Sequence, residues 1–229
     1  GAFPTPLNRV LTSDDISTGS YSFRIISSQL GDDGEKLITA RVTDIAGNSG
    51  AVSSELTLSL DTGAPTAPIS VAFTPVGGTV VTNTLNNTNT NFTVIATIVA
   101  GQATGGTAEL LVGGSPFASP ILDSTIESGD TIVSFDAALT TNEAVQAAFA
   151  SEATVSVKVT DAAGNFSTSS VGNPSVTVDY VSPVASTPLS APQRLKGGDV
   201  STSTVQSTEA GNIYLIKTGT AAETQALID

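Results

Sequence analysis

Short runs in which apolar and polar residues alternate recur along most of the chain. β-Branched and aromatic residues fill every second position, the pattern of a strand that buries one face and exposes the other. Turn residues separate these runs, among them Asp32-Asp33-Gly34 and Gly77-Gly78. The pattern therefore predicts strands, which we place at residues 21–25, 37–42, 55–60, 92–99, 154–159 and 175–178.

Helical patterns are much rarer than strand patterns. Alanine-rich segments at residues 142–150 and 221–228 favour helices of one or two turns. Each stretch of roughly 120 residues otherwise contains about seven short strands with turns between them, which is typical of an immunoglobulin-like sandwich. We therefore expect an all-β protein made of tandem immunoglobulin-like β-sandwiches.

The sequence repeats itself with one period. A turn sequence that begins at Asp44 recurs 117 residues later at Asp161. Asp61 and Asp179 lie 118 residues apart, and each precedes a linker that ends in proline. A glycine pair keeps nearly the same spacing, and three markers with one period indicate a tandem repeat. The marker pairs are Arg41-Val-Thr-Asp44-Ile-Ala-Gly47-Asn48 with Lys158-Val-Thr-Asp161-Ala-Ala-Gly164-Asn165, and Gly77-Gly78 with Gly197-Gly198.

The phase of the repeat divides the chain into three parts. Residues 62–181 contain one complete unit, residues 1–61 align with the C-terminal half of a unit, and residues 182–229 align with the N-terminal half. A half sandwich leaves its apolar face and its edge strands open. We expect each half to be completed either by further repeats of a longer protein or, head to tail, by strands of a neighbouring copy, which would give a filament.

The repeated motif resembles a known family. A strand that ends in Val-Thr-Asp-x-Ala-Gly-Asn, followed by another strand and by Asp-x-x-x-Pro, is similar to the bacterial immunoglobulin-like repeats of large cell-surface adhesins. The similarity covers nearly the whole chain. It implies extender modules that hold a binding or anchoring part away from the cell, an extracellular or cell-surface location, and calcium ions that stiffen the junctions between modules.

The repeated turns allow two interpretations. In the first they are hairpin turns, in which the aspartate accepts hydrogen bonds from turn amides and the glycine takes a positive φ. In the second they contribute to calcium sites beside the linkers, because Ca²⁺ takes about six to eight oxygen ligands. The candidate metal ligands are Asp44, Asn48 and Asp61 in one unit and Asp161, Asn165 and Asp179 in the next.

An asparagine-rich segment lies just before the predicted strand at residues 92–99. We interpret it as a polar loop. The alternative is a binding loop for a sugar or protein ligand, with Asn86, Asn87 and Asn89 as its candidate residues.

Composition narrows the classes of function. The 229 residues contain no His and no Cys, which excludes histidine acid–base relays and thiolate nucleophiles. With 8 Lys and Arg against 21 Asp and Glu, the net charge of −13 disfavours nucleic acid and anionic membranes as partners. The apolar run at residues 92–100 is too short to span a bilayer.

The sequence thus predicts a structural role without catalysis, as an extender or fibre segment whose partners are neighbouring repeats or copies of the chain. Two alternatives stay open. One is a ligand-binding immunoglobulin-like module that recognises a carbohydrate or a protein at the surface. The other is an accessory module of a secreted enzyme.

Overall fold

The computed structural model describes residues 7–117, 123–139, 147–149, 152–184, 196–198 and 205–214. Strands are the predominant regular element of these residues, so the expected all-β class is confirmed. The predicted helices at 142–150 and 221–228 fall largely or wholly outside the described residues. The elements are α1 Ser13–Thr18, a 3-10 helix Ser27–Gln29, β1 Gly34–Ile38, β2 Leu56–Leu60, β3 Ser70–Val76, β4 Thr84–Asn86, β5 Asn91–Thr97, β6 Thr107–Val112, β7 Ser115–Pro116, β8 Asp123–Thr125, β9 Ile132–Ala138, β10 Ala153–Thr160, β11 Phe166–Thr168 and β12 Ser175–Asp179.

Strands β3 to β12, which we call the central unit, form two sheets that share one apolar core. The smaller sheet is antiparallel with the order β3-β5-β9. The larger sheet has the order β4-β12-β10-β6-β7, with β8 paired to β6 and β11 paired to β10. Alternate residues of facing strands are buried, as the sequence pattern predicts. The two sheets therefore pack face to face.

A cluster of phenylalanines fills the centre of this core. The fully buried ring of Phe92 lies 5.0 Å from Phe73, 5.4 Å from Phe149 and 5.8 Å from Phe117 between ring centroids. Such aromatic pairs bury large apolar areas and prefer offset or edge-to-face geometry. Phe92 comes from the smaller sheet, so the cluster joins that sheet to the segments that cover it.

The larger sheet contains one parallel pair. β12 lies beside β4 in parallel, with Thr177 opposite Thr84 and Asp179 opposite Asn86, whereas β6, β10 and β11 pair antiparallel. Close approach at the start of β6 requires glycine, because a Cβ on Gly106 would lie 1.9 Å from the carbonyl oxygen of Thr160. Gly106 therefore lets the start of β6 lie directly against the end of β10, where Thr107 is opposite Thr160.

Residues 7–60 pack very differently from the central unit. β1 and β2 form an antiparallel hairpin, with Gly34 opposite Leu60. None of the described residues from 7 to 60 is buried. Large apolar side chains stay open to solvent, including Leu56 at 64% and Phe23 at 47% relative exposure. The strand predicted at residues 21–25 is not formed, and that predicted at 37–42 is shifted to β1.

Candidate functional site

The two repeated turns have the same geometry. In the first, the Asp44 carboxylate accepts hydrogen bonds from the backbone N of Ala46 at 2.9 Å and from Asn48 through its backbone N and its Nδ2, both at 2.8 Å. In the second, the Asp161 carboxylate accepts from Ala163 N and Asn165 N at 2.9 Å and from Asn165 Nδ2 at 3.1 Å. Both turns are therefore hairpin turns held by their aspartate, as in the first interpretation.

These hydrogen bonds favour the charged form of each aspartate. The side-chain amide of Asn48, followed by its backbone amide, lowers the pKa of Asp44 below the ordinary value of 3.8. For Asp161, burial by itself would raise the pKa, but the donors from Asn165 and the turn amides outweigh it, so the pKa is again lowered from 3.8. Both turns are therefore held by an ionised carboxylate at neutral pH.

The second turn also holds the linker that precedes the central unit. Asn165 Nδ2 donates a second hydrogen bond, at 3.1 Å, to the backbone carbonyl of Asp61. On the other side of the linker, Asp33 Oδ1 accepts from the backbone N of Thr62 at 3.0 Å and from its hydroxyl at 2.8 Å. Pro65, which follows, is buried. We call these contacts at residues 61–65 the linker clamp.

The clamp joins three stretches that are far apart in sequence. Asp33 lies in the turn before β1, Asp61 directly follows β2, and Asn165 lies between β10 and β11. The sequence predicts Asp61 at a linker, Asn165 in a hairpin turn and Asp33 in a simple turn, so it does not predict the contact between Asp33 and the linker. The only sign of this role in the sequence is the position of Asp33 just before β1. Because β1 pairs with β2, Asp33 lies beside the end of β2.

The asparagine-rich loop contacts the chain where it leaves the central unit. Asn89 is buried and its Nδ2 donates to the carbonyl of Gly77 at 2.7 Å, and Asn86 Nδ2 donates to the carbonyl of Thr79 at 2.7 Å. Asn87 Nδ2 donates to the hydroxyl of Ser182 at 3.0 Å. The amides offered as ligand-binding groups are thus engaged within the loop and with the outgoing chain.

The incoming and outgoing chain segments lie at opposite ends of the central unit. Asp161 follows the last residue of β10, whereas β12 starts beside Thr154 at the beginning of β10 and runs away from it. Eight residues of β10 separate the two ends, which is about 25 Å at the usual rise of a strand. We call them the entry pole, at Asp161, and the exit pole, at Asp179.

The predicted metal ligands are not grouped as the sequence suggested. Asp61 lies at the entry pole with Asp161 and Asn165, while Asp179 lies at the exit pole. The Asp44 turn lies at the far end of its hairpin, beyond the β1 residue that pairs with Leu56. The structure therefore joins residues of different predicted sets.

The described residues do not gather the predicted ligands into a ready calcium site. Among the described residues, no group of three or more acidic side chains converges. Oδ1 of Asp161 accepts two hydrogen bonds from the turn and Oδ2 accepts one, so the turn already uses most of the acceptor positions of this carboxylate. Calcium binding by this chain stays a prediction that chelation can test.

The outer edge of β2 is a second candidate site. Among the described residues, β2 is hydrogen bonded to β1 alone, and Leu58 at its centre is 39% exposed. Open edges of this kind are places where another chain can add a strand.

Two comparisons with known proteins, one with family models and one with curated proteins, gave no match. None of the helices in the described ranges is long and apolar enough to cross a membrane.

Proposed function

We propose that this chain is a non-catalytic structural segment of an extended surface protein, built from immunoglobulin-like units. The strand order supports the immunoglobulin-like part. In chain order, β3, β5 and β9 form one sheet and β6, β10 and β12 form the other, as do strands A, B, E and C, F, G of that fold. The repeated turn motif, similar to that of bacterial surface adhesins, supports a location outside the cell.

The observation that carries the proposal is the linker clamp. A unit that receives its chain at one pole and releases it at the other extends a string of units by its own length. Asn165 and Asp33 fix the linker by hydrogen bonds to Asp61 and Thr62, which limits bending at that junction. At the exit pole, Asn87 holds Ser182 in a corresponding way. Hydrogen bonds thus attach the unit to the adjoining chain at both of its ends.

The parallel pairing of β4 and β12 suits such a unit to bearing tension. Force between the poles pulls β12 towards the exit pole and the segment from β3 to β4 towards the entry pole. The two strands would then slide along each other, and their hydrogen bonds, such as Thr177 N to the Asn83 carbonyl at 3.0 Å, would be loaded together. Loading several bonds at once resists force better than breaking them one after another.

Single-molecule stretching of the whole chain tests this function. The chain has no cysteine, so pairs of introduced cysteines can serve as handles. Handles at Gly63 and Ser182 load the unit from pole to pole, and handles at Gly63 and Ala162 pull from the entry pole alone. We expect a clearly higher unfolding force from pole to pole. Equal forces in the two directions would refute a tension-bearing role, because only the pole-to-pole handles load the parallel β4–β12 pair.

Calcium belongs to this proposal as a separate part. The supporting observations are the net charge of −13 and the resemblance of the turn motif. The hydrogen bond from Asn165 to the Asp61 carbonyl already holds the junction without an ion. A difference of several degrees between melting temperatures with calcium and with chelator would support a bound ion. Identical melting temperatures would remove calcium from the proposal and leave the clamp unaffected.

A further inference from the structure

One phenylalanine of the central unit lies outside its core. Phe166, in β11, is 61% exposed. It lies opposite Thr160 on the outer face of the larger sheet, since the neighbouring Val159 of β10 is buried on the inner face. The other phenylalanines that the structure describes in this unit are each at most 5% exposed: Phe73, Phe92, Phe117, Phe135 and Phe149. The fold therefore does not use the ring of Phe166 in its core.

The repeat contains the same turn without this ring. The offset of 117 residues places Ser49 at the position of Phe166 and Thr43 at that of Thr160. Thr43 pairs with Ser49 as Thr160 pairs with Phe166, and the hydroxyl oxygens of Thr43 and Ser49 lie 3.0 Å apart in a hydrogen bond. Both turns keep the same hydrogen bonds to their aspartate. Phe166 is therefore not needed for the turn, and its presence leaves the Thr160 hydroxyl without such a partner.

Three threonines continue the row that begins at Phe166. Thr160 lies opposite Thr107, and Thr107 lies opposite Thr125, so the four side chains lie on one face of the adjacent strands β11, β10, β6 and β8. Neighbouring strands are about 4.8 Å apart, which makes the row about 14 Å long. Within the described part of the chain, none of the three hydroxyls has a hydrogen-bond partner. We call these four residues the platform row.

A paired cation and anion border the platform row. In the neighbouring row of the same face, Lys158 lies opposite Glu109, and the two side chains form an ion pair. The Lys158 ammonium also lies 5.7 Å from the centroid of the Phe166 ring, within the range of a cation–π contact. Both side chains are partly exposed. They place a hydrogen-bond donor and an acceptor beside the row, and their charges balance.

We propose that the platform row binds a neutral oligosaccharide in an extended conformation. A pyranose presents C–H groups on one face, which stack on an aromatic ring, and hydroxyls at its rim, which exchange hydrogen bonds with threonine hydroxyls. A row of about 14 Å accommodates roughly three sugar residues, one on Phe166 and the others along the threonines. This binding site adds a function to the structural segment and does not rest on the tension-bearing role.

Charge selects a neutral ligand among the possible classes. Residues 62–181 contain nine Asp and Glu, and their one cationic residue, Lys158, is already paired with Glu109. An anionic polysaccharide would therefore meet an excess of carboxylates, and a cationic ligand would compete with Lys158 for both Glu109 and the Phe166 ring. A stable protein interface buries about 800 Å² on each partner, which is far more than one ring and a single row of threonines offer.

Native electrophoresis of the whole chain in gels that contain a dissolved polysaccharide tests this site. The net charge of −13 drives the chain through the gel, and binding retards it. The neutral probes are galactomannan, mixed-linkage β-glucan and dextran, and the anionic probe is alginate. We expect retardation by at least one neutral probe and none by alginate. Phe166→Ser, which introduces the residue of the first turn, should lower the affinity about tenfold or more because it removes the stacking surface.

Three further variants separate binding from folding. Phe166→Tyr keeps an aromatic face and should bind as the parent does. Thr160→Val keeps the shape of the side chain but removes the hydroxyl, so it should weaken binding severalfold without lowering the melting temperature. Ile132→Ser is the matched control, because it removes an apolar side chain that is 56% exposed on the outer face of the smaller sheet, and it should leave binding unchanged.

Several results would overturn the proposal. They are a parent chain that none of the three neutral probes retards, equal retardation of the parent and Phe166→Ser, and retardation by alginate that Phe166→Ser abolishes. Sedimentation without sugar in which the parent self-associates and Phe166→Ser does not would assign the ring to a protein contact instead. Pole-to-pole stretching is independent of all these results, because Phe166 lies outside the β4–β12 pair and the linker clamp. Failure of the sugar site is therefore separable from failure of the proposed function.

Discussion

Substitution of Asn165 by alanine should loosen the junction before the central unit. The change removes the hydrogen bond from Nδ2 to the carbonyl of Asp61 and the bond from Nδ2 to the Asp161 carboxylate, each at 3.1 Å. A neutral hydrogen bond contributes about 1 kcal/mol net, so loss of the first bond alone shifts the balance between held and released linker about fivefold. Loss of the charge-assisted bond, about 1.5–3 kcal/mol, should also lower the melting temperature of the unit.

Distances between two spin labels measure the linker directly. Labels on cysteines introduced at Thr57 in β2 and Ser134 in β9 report on the two sides of the junction, and both positions are exposed. We expect a narrow distance distribution in the parent and a broad one with Asn165→Ala. Asn48→Ala is the matched control, because it makes the same change in a turn of the same geometry whose asparagine does not touch the linker.

The outcome that refutes the clamp is specific. If Asn165→Ala and Asn48→Ala both leave the distribution as narrow as in the parent, the hydrogen bond to Asp61 does not hold the junction. If Asn48→Ala broadens the distribution as much as Asn165→Ala, the broadening comes from loosening a turn of this geometry and not from loss of the linker contact. Asp33→Ala, which removes both bonds to Thr62, should broaden the distribution independently of Asn165.

Two further predictions concern the stability of the central unit. The pKa of Asp161 is lowered, so the contribution of its carboxylate to stability is complete above pH 3.8 and is lost as the pH falls through the folded-state pKa. Thermal melts between pH 2 and about 5 should show this loss. Asp161→Asn should remove that part of the pH dependence. Gly106→Ala should destabilise the unit by about 3 kcal/mol or more in chemical denaturation, because the added Cβ would meet the Thr160 carbonyl at 1.9 Å. Gly129→Ala, where nothing lies within 4 Å, should be nearly neutral, and an equal cost at both glycines would contradict the argument.

Alternation along the chain was sufficient to find strands that are buried on one side. The predicted strands at 92–99, 154–159 and 175–178 correspond to β5, β10 and β12, because their apolar residues face a core. Residues 21–25 have the same alternation and form no strand. A strand needs a partner as well as a pattern, and no local signal shows whether the partner is in place.

The candidate site could be predicted only in part for a similar reason. The turn geometry around Asp161 depends on five consecutive residues and could be predicted from their sequence alone. The contact from Asn165 to Asp61 joins residues that are 104 positions apart. Sequence proximity grouped Asp61 with Asp44, whereas the linker folds onto the unit that follows it.

The linker clamp has a consequence for how such a chain can change over generations. Asn165 binds a main-chain oxygen of residue 61, which every amino acid provides. The side chain at that position can therefore vary without loss of this bond. Gene segments that encode the turn could be duplicated or exchanged between unlike neighbours, and each new arrangement would keep the same connection between consecutive units.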